Sequence, residues 1–234
     1  MSCRAQDFIL ESTADPKQQI RQLRRQEATD SSAAMQIALG VAYYRAGQHI
    51  LFRRKMQHAM ARDPDAFAPH YLLGRHYDSD VEDFPRAIGH FRDAIRRSPK
   101  HAHSHAFLGH ALEMSDSREE AAAAYRRAIE LDRCESTAMA GLGRLELANA
   151  GEMIRTLRCG IDDPAILRVL AKRLVSDNRP REAVPYLERA MAADPRNPAL
   201  AYQLHRLWRA LGDEAQSTAA MENYRRLRAI YGGQ

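Results

Sequence analysis

LLGRHYDSDVEDFPRAIGHFRDAIRRSP, residues 72–99, carries two apolar stripes of helical period separated by an acidic turn. Leu73, Gly74 and Tyr77 stand at i, i+1 and i+4, and Ala87, Phe91 and Ala94 at i, i+4 and i+7, each set lining one face of a helix. Gly74 leaves room for the second helix to approach the first. Pro99 stops the second helix or opens the next turn. Neither helix can bury its stripe alone, so neighbouring pairs must stack into a continuous core.

The same phrase returns along the chain. Its leucines are Leu39, Leu73, Leu108, Leu142, Leu170 and Leu204, at spacings of 34, 35, 34, 28 and 34 residues. The small residue after them is Gly40, Gly74, Gly109, Gly143 and Ala171, with His205 breaking the rule in the sixth copy. The second phrase follows as Phe52, Met56, Ala59 and Pro64; Ala121, Tyr125 and Ala128; and Ala183, Leu187, Ala190 and Pro195. This period and these positions resemble the tetratricopeptide repeat over about residues 33–230.

The resemblance implies an all-α, right-handed superhelical solenoid of antiparallel helix pairs. Six units are expected at 33–66, 67–101, 102–135, 136–163, 164–197 and 198–234, after an N-terminal extension over 1–32. The extension should hold a capping helix near 16–28, with Asp15 as N-cap and Ile20 and Leu23 inward. The second unit has an extra residue in its acidic turn, 78–83. The fourth is six residues short, with its second helix expected at about Glu152–Cys159 and Glu146 where an apolar residue belongs. Asp163-Pro164 and Asn197-Pro198 are helix starts.

Composition fits a folded, helix-rich chain: 234 residues, 45% hydrophobic, 28% charged and a single Trp, Trp208. The net charge of +5 permits an acidic partner without requiring one. Cys3, Cys134 and Cys159 are odd in number and fit no zinc or redox spacing, which reads as reduced thiols. With no apolar run long enough for a leader or a membrane span, a cytoplasmic location without membrane insertion is expected.

The phosphate-loop, nucleophile-elbow, zinc-protease and CxxC motifs are missing, so catalysis is not expected, nor any cofactor. His101, His103, His105 and His110 are the densest histidine group. Their spacing does not favour metal ligation, and they read as surface or groove residues. The 78–83 turn lacks the glycine and distal glutamate of a calcium loop.

The strongest functional signal comes at position 9 of the first helices. There the units place Val41, Arg75, His110, Arg144, Lys172 and Arg206. The resemblance puts positions 2, 5, 9, 12 and 13 of that helix on the concave surface. Position 5 adds Tyr71, Arg168 and Tyr202, and position 12 adds Arg209. The expected groove is therefore basic and dotted with aromatics. Its partner is a protein or peptide, an extended acidic segment, bound by a scaffold or adaptor. The positions that clamp chaperone C-termini in one subtype hold Ile37, Val41, Leu72, His103 and Phe107, so that partnership is not expected. The alternatives are a helical-repeat RNA binder, motivated by a pI near 9.3, and an accessory module of an enzyme complex. Nucleic acid ranks behind protein because Tyr71 and Tyr202 alone could stack bases.

Overall fold

The computed structural model describes residues 15–145, 147–159 and 163–231. They form thirteen helices and, among the described residues, no strand. In chain order these are α1 (Pro16–Glu27), α2 (Ala33–Arg45), α3 (His49–Arg62), α4 (Ala68–Ser79), α5 (Phe84–Arg97), α6 (Ala102–Met114) and α7 (Arg118–Leu131). Then follow α8 (Ser136–Arg144), α9 (Ala150–Leu157), α10 (Pro164–Ser176), α11 (Pro180–Ala193), α12 (Pro198–Leu211) and α13 (Glu214–Tyr231). Contacts divide the chain into two compact units, one ending at Leu131 and the other beginning at Asp132. Each is a helical-repeat stack in which helices adjacent in sequence pack as antiparallel pairs.

Unit one holds α1 to α7. Its core gathers Leu39, Phe52, Met56, Leu73, Ala87, Phe91 and Ala94, the residues of the repeating phrase. The small-residue rule has a steric origin. A Cβ on Gly74 would lie 2.6 Å from the Phe91 ring, and one on Gly109 2.6 Å from the Tyr125 ring. Both rings are completely buried and cannot swing away.

Helix α1 packs against α2. Asp15 accepts from Lys17 N–H, and Ile20 and Leu23 pack on the core. A polar cluster pins its far end: Lys55 Nζ donates to Glu27 and, at 3.0 Å, to Gln36 Oε1, while Gln36 donates to Glu27 at 3.0 Å. Lys55 is buried, so Glu27 supplies the charge that makes its burial tolerable. The Lys55 hydrogen bond holds the Glu27 carboxyl below its usual range against the opposing effect of burial.

The turns inside the repeats share a backbone habit. Gly47, Asp116, Asn178 and Gly212 all adopt positive φ, each eight residues after its repeat leucine. In the second repeat that role falls to Glu82 at φ 54°, nine residues after Leu73, which is where the extra residue is absorbed.

Unit two holds α8 to α13. Asp163 and Asn197 cap α10 and α12. In the last pair His205 replaces the small residue, and Ser217 stands where the facing helix has Ala121 or Ala183 in other repeats. His205 Nδ1 lies 3.0 Å from Ser217 Oγ and 2.9 Å from its carbonyl.

The shortened repeat differs from expectation. The deficit falls on both helices, α8 with nine residues and α9 with eight. An Asn149–Glu152 capping box starts α9 early: Asn149 Oδ1 accepts from Glu152 N–H, and Glu152 accepts from Asn149 N–H, both at 2.9 Å. Glu146, which stands where an apolar residue belongs, lies outside the described residues, as does Cys3.

The reading of the cysteines as reduced thiols is corrected. Cys134 and Cys159 form a disulfide, with Cα atoms 5.8 Å apart. The short α8–α9 hairpin brings the turn before α8 beside the end of α9, where Thr156 Oγ1 also donates to the Arg133 carbonyl at 3.3 Å. Sequence spacing could not show this, because the closure depends on how both helices are truncated. With the pair joined, the cysteines no longer argue for a reducing compartment.

Candidate functional site

The basic positions chosen from the repeat register separate according to unit. In unit one they are engaged within the protein. Tyr71 is only 3% exposed, packed on Phe91, His101 and Phe107. This corrects its assignment as a groove aromatic, because Phe91 and His101 of its own repeat and Phe107 of the following one cover it. Arg75 lies over the Phe107 ring at 4.0 Å and donates to the Tyr71 hydroxyl at 3.2 Å. Its plane is used for cation–π packing rather than offered outward. His110 Nδ1 sits 2.9 and 3.1 Å from the two oxygens of Asp78, whose side chain is 2% exposed.

In unit two the corresponding side chains face solvent. Arg144 ends α8, Arg168 and Lys172 lie one turn apart on α10, and Tyr202, Arg206 and Arg209 follow one another on α12; all are exposed. Tyr202 is 42% exposed and rests against Tyr224 of α13, ring centroids 5.1 Å apart. A Cβ on Gly143 would meet Val169 Cγ1 at 2.4 Å, so α8 and α10 touch directly between Arg144 and the Arg168–Lys172 turn. Unit two thus carries three cationic positions in one register on its first helices, with two further arginines and an aromatic beside them.

The dense histidine group does not gather on one ion. His101 caps α6, its Nδ1 accepting from Ser104 N–H at 3.2 Å, and His105 Nε2 meets the Pro99 carbonyl at 3.0 Å. Burial lowers the pKa of His105. Two other histidine pairs, passed over in the sequence, come together with carboxylates in unit one: His49 and His76 with Asp80, and His70 and His90 with Asp93. The only local hint was the i, i+4 spacing of His76 and Asp80; His49 comes from the preceding repeat. Elsewhere in unit one a shallow cavity of about 350 Å³ opens between α5, α6 and α7, spanned by the Arg92–Glu120 pair at 2.9 Å.

Comparison with known proteins agrees with this architecture. Residues 76–134 match the family model described as tetratricopeptide repeat. No curated protein matches the chain. Among solved structures, the chain is similar to PilF of Pseudomonas aeruginosa, with a TM-score of 0.72 at 18% identity, covering 86% of this chain and 93% of that one. PilW, described as a widely conserved type IV pilus biogenesis factor, gives 0.68 at 17% identity, covering 86% and 94%. A chain of the APC/C hetero-tetramer Cut9–Hcn1 gives 0.73 at 12% identity, covering 93% of this chain and 44% of that one. At these identities the likeness concerns the fold. No helix among the described residues is long and apolar enough to cross a membrane.

Proposed function

We propose that the chain is a tetratricopeptide-repeat scaffold for protein interaction whose second unit binds an extended acidic segment of a partner. One observation carries this reading: Arg144, Lys172 and Arg206 are exposed at the same register of three successive repeats, whereas Arg75 and His110 of unit one are half-buried. Exposed cations at a shared register meet a strand-like acidic chain at regular intervals, because an extended peptide advances about 3.3 Å per residue. Arg168, Arg209 and Tyr202 add donors and a flat ring beside that row. Two of the similar structures support a scaffold role in their own right, one being a pilus biogenesis factor and the other part of a hetero-tetramer.

The test is a pull-down with the full chain against its Arg144→Glu, Lys172→Glu, Arg206→Glu triple variant. Partners captured by the native chain should be lost by the variant while helicity is unchanged. A variant that retains them would move the binding surface elsewhere. Capture of nucleic acid by the native chain, freed of protein, would favour the RNA-binding alternative.

A further inference from the structure

In each of the two histidine–carboxylate clusters of unit one, one ligand atom per residue lies within 4.8 Å of the others. We propose that the first cluster, His49, His76 and Asp80, is a binding site for a divalent transition-metal ion of the zinc class.

His76 is 2% exposed, and its Nδ1 lies 2.8 Å from Asp80 Oδ2. With Nδ1 turned to the carboxylate, Nε2 is the ring nitrogen left for a ligand. That Nε2 is buried and has no hydrogen-bond partner. Nδ1 of His49 is likewise buried and without one. The two rings lie nearly parallel, with centroids 5.1 Å apart. Buried acceptors left unsatisfied are costly, and two together from consecutive repeats form a donor set that a cation satisfies.

The carboxylate completes the chemistry. Asp80 orients His76 through Nδ1, the arrangement that second-shell carboxylates impose on metal-bound imidazoles. The Tyr44, Phe52 and Tyr77 rings pack around His76 at centroid distances of 5.4–6.2 Å. Imidazole donors select zinc, cobalt, nickel or copper over calcium and magnesium.

The second cluster is the poorer candidate. Asp93 is already bonded to Arg96 at 2.6 Å, with Arg97 at 4.0 Å. Those guanidinium groups occupy its charge and repel an arriving cation.

The experiment titrates Zn²⁺ alone into the metal-stripped full chain, followed by calorimetry and by imidazole ¹⁵N NMR. One ion per chain should bind, and the His49 and His76 ring nitrogens should shift while those of His70 and His90 stay. His49→Ala and Asp80→Asn should each weaken binding at least tenfold, and His90→Ala should leave it unchanged. The NMR reads the native chain, so it decides the matter even if a variant loses helicity. Absence of binding, ¹⁵N shifts confined to His70 and His90, or full affinity in both His49→Ala and Asp80→Asn would each overturn the proposal.

Discussion

At Gly74 and Gly109 a single hydrogen in place of a methyl group decides whether two helices can touch. Phe91 and Tyr125 fill the space a Cβ would take, at 2.6 Å in both cases, so Gly74→Ala should destabilise the protein by about 1–3 kcal/mol despite the better helix propensity of alanine. Urea denaturation checks this, and a more stable variant would refute it. These glycines were legible in the sequence because close packing imposes a residue type at a fixed period. Tyr71 was misread for the converse reason: its cover comes from His101 at the end of its repeat and Phe107 of the next, and periodicity carries no information about that. Glu27 gives a second prediction at this scale. Its pKa is depressed by Lys55, so its contribution is fully present above the ordinary glutamate value of 4.5 and is lost as pH falls through the lowered one. Glu27→Gln should cost about 2 kcal/mol at pH 7 by leaving Lys55 without its counter-charge, and the gap from the native chain should close in acid. Thermal melts across pH 3–7 measure it; a gap that persists at the lowest pH would show that charge is not the cause.

The helices α8 and α9 are the shortest pair in the chain, and a pair of that length buries little apolar surface. By helix length alone this repeat is a weak joint. The disulfide alters that expectation, because it closes a loop of 25 residues around the hairpin. In the chain-entropy account such a loop contributes about 3.5 kcal/mol. Reduction, or Cys134→Ser, should therefore lower the melting temperature and speed amide exchange across 147–159 ahead of α11 and α12. Exchange there that ignores reductant would mean that packing alone holds the hairpin. The register of this repeat was readable from Leu142 and Gly143. Its end was not, since the Asn149–Glu152 capping box competes locally with the longer helix that the repeat length implies.

Over the whole molecule, identical repeat positions have taken different roles. Position 9 is a core residue at Val41, a ring-stacked guanidinium at Arg75, a carboxylate-paired imidazole at His110 and exposed cations at Arg144, Lys172 and Arg206. The sequence register identified the row but could not separate its members, because exposure depends on what the neighbouring repeat places against each. Recognition by the exposed members should be distributed. Each solvent-facing ion pair contributes about 1 kcal/mol or less, so single reversals of Arg144, Lys172 or Arg206 should weaken partner binding by roughly tenfold or less. Attractions between exposed charges weaken as the Debye length shrinks from about 10 Å at 0.1 M salt to about 3 Å at 1 M. Binding of the native chain should therefore weaken steadily with added salt, chiefly through a slower association rate. The triple reversal should show weak binding that salt no longer diminishes. Surface-plasmon association rates for the native chain and the triple variant, taken over a salt series, measure both effects. Equal salt slopes for the two proteins would show that these cations do not meet the partner.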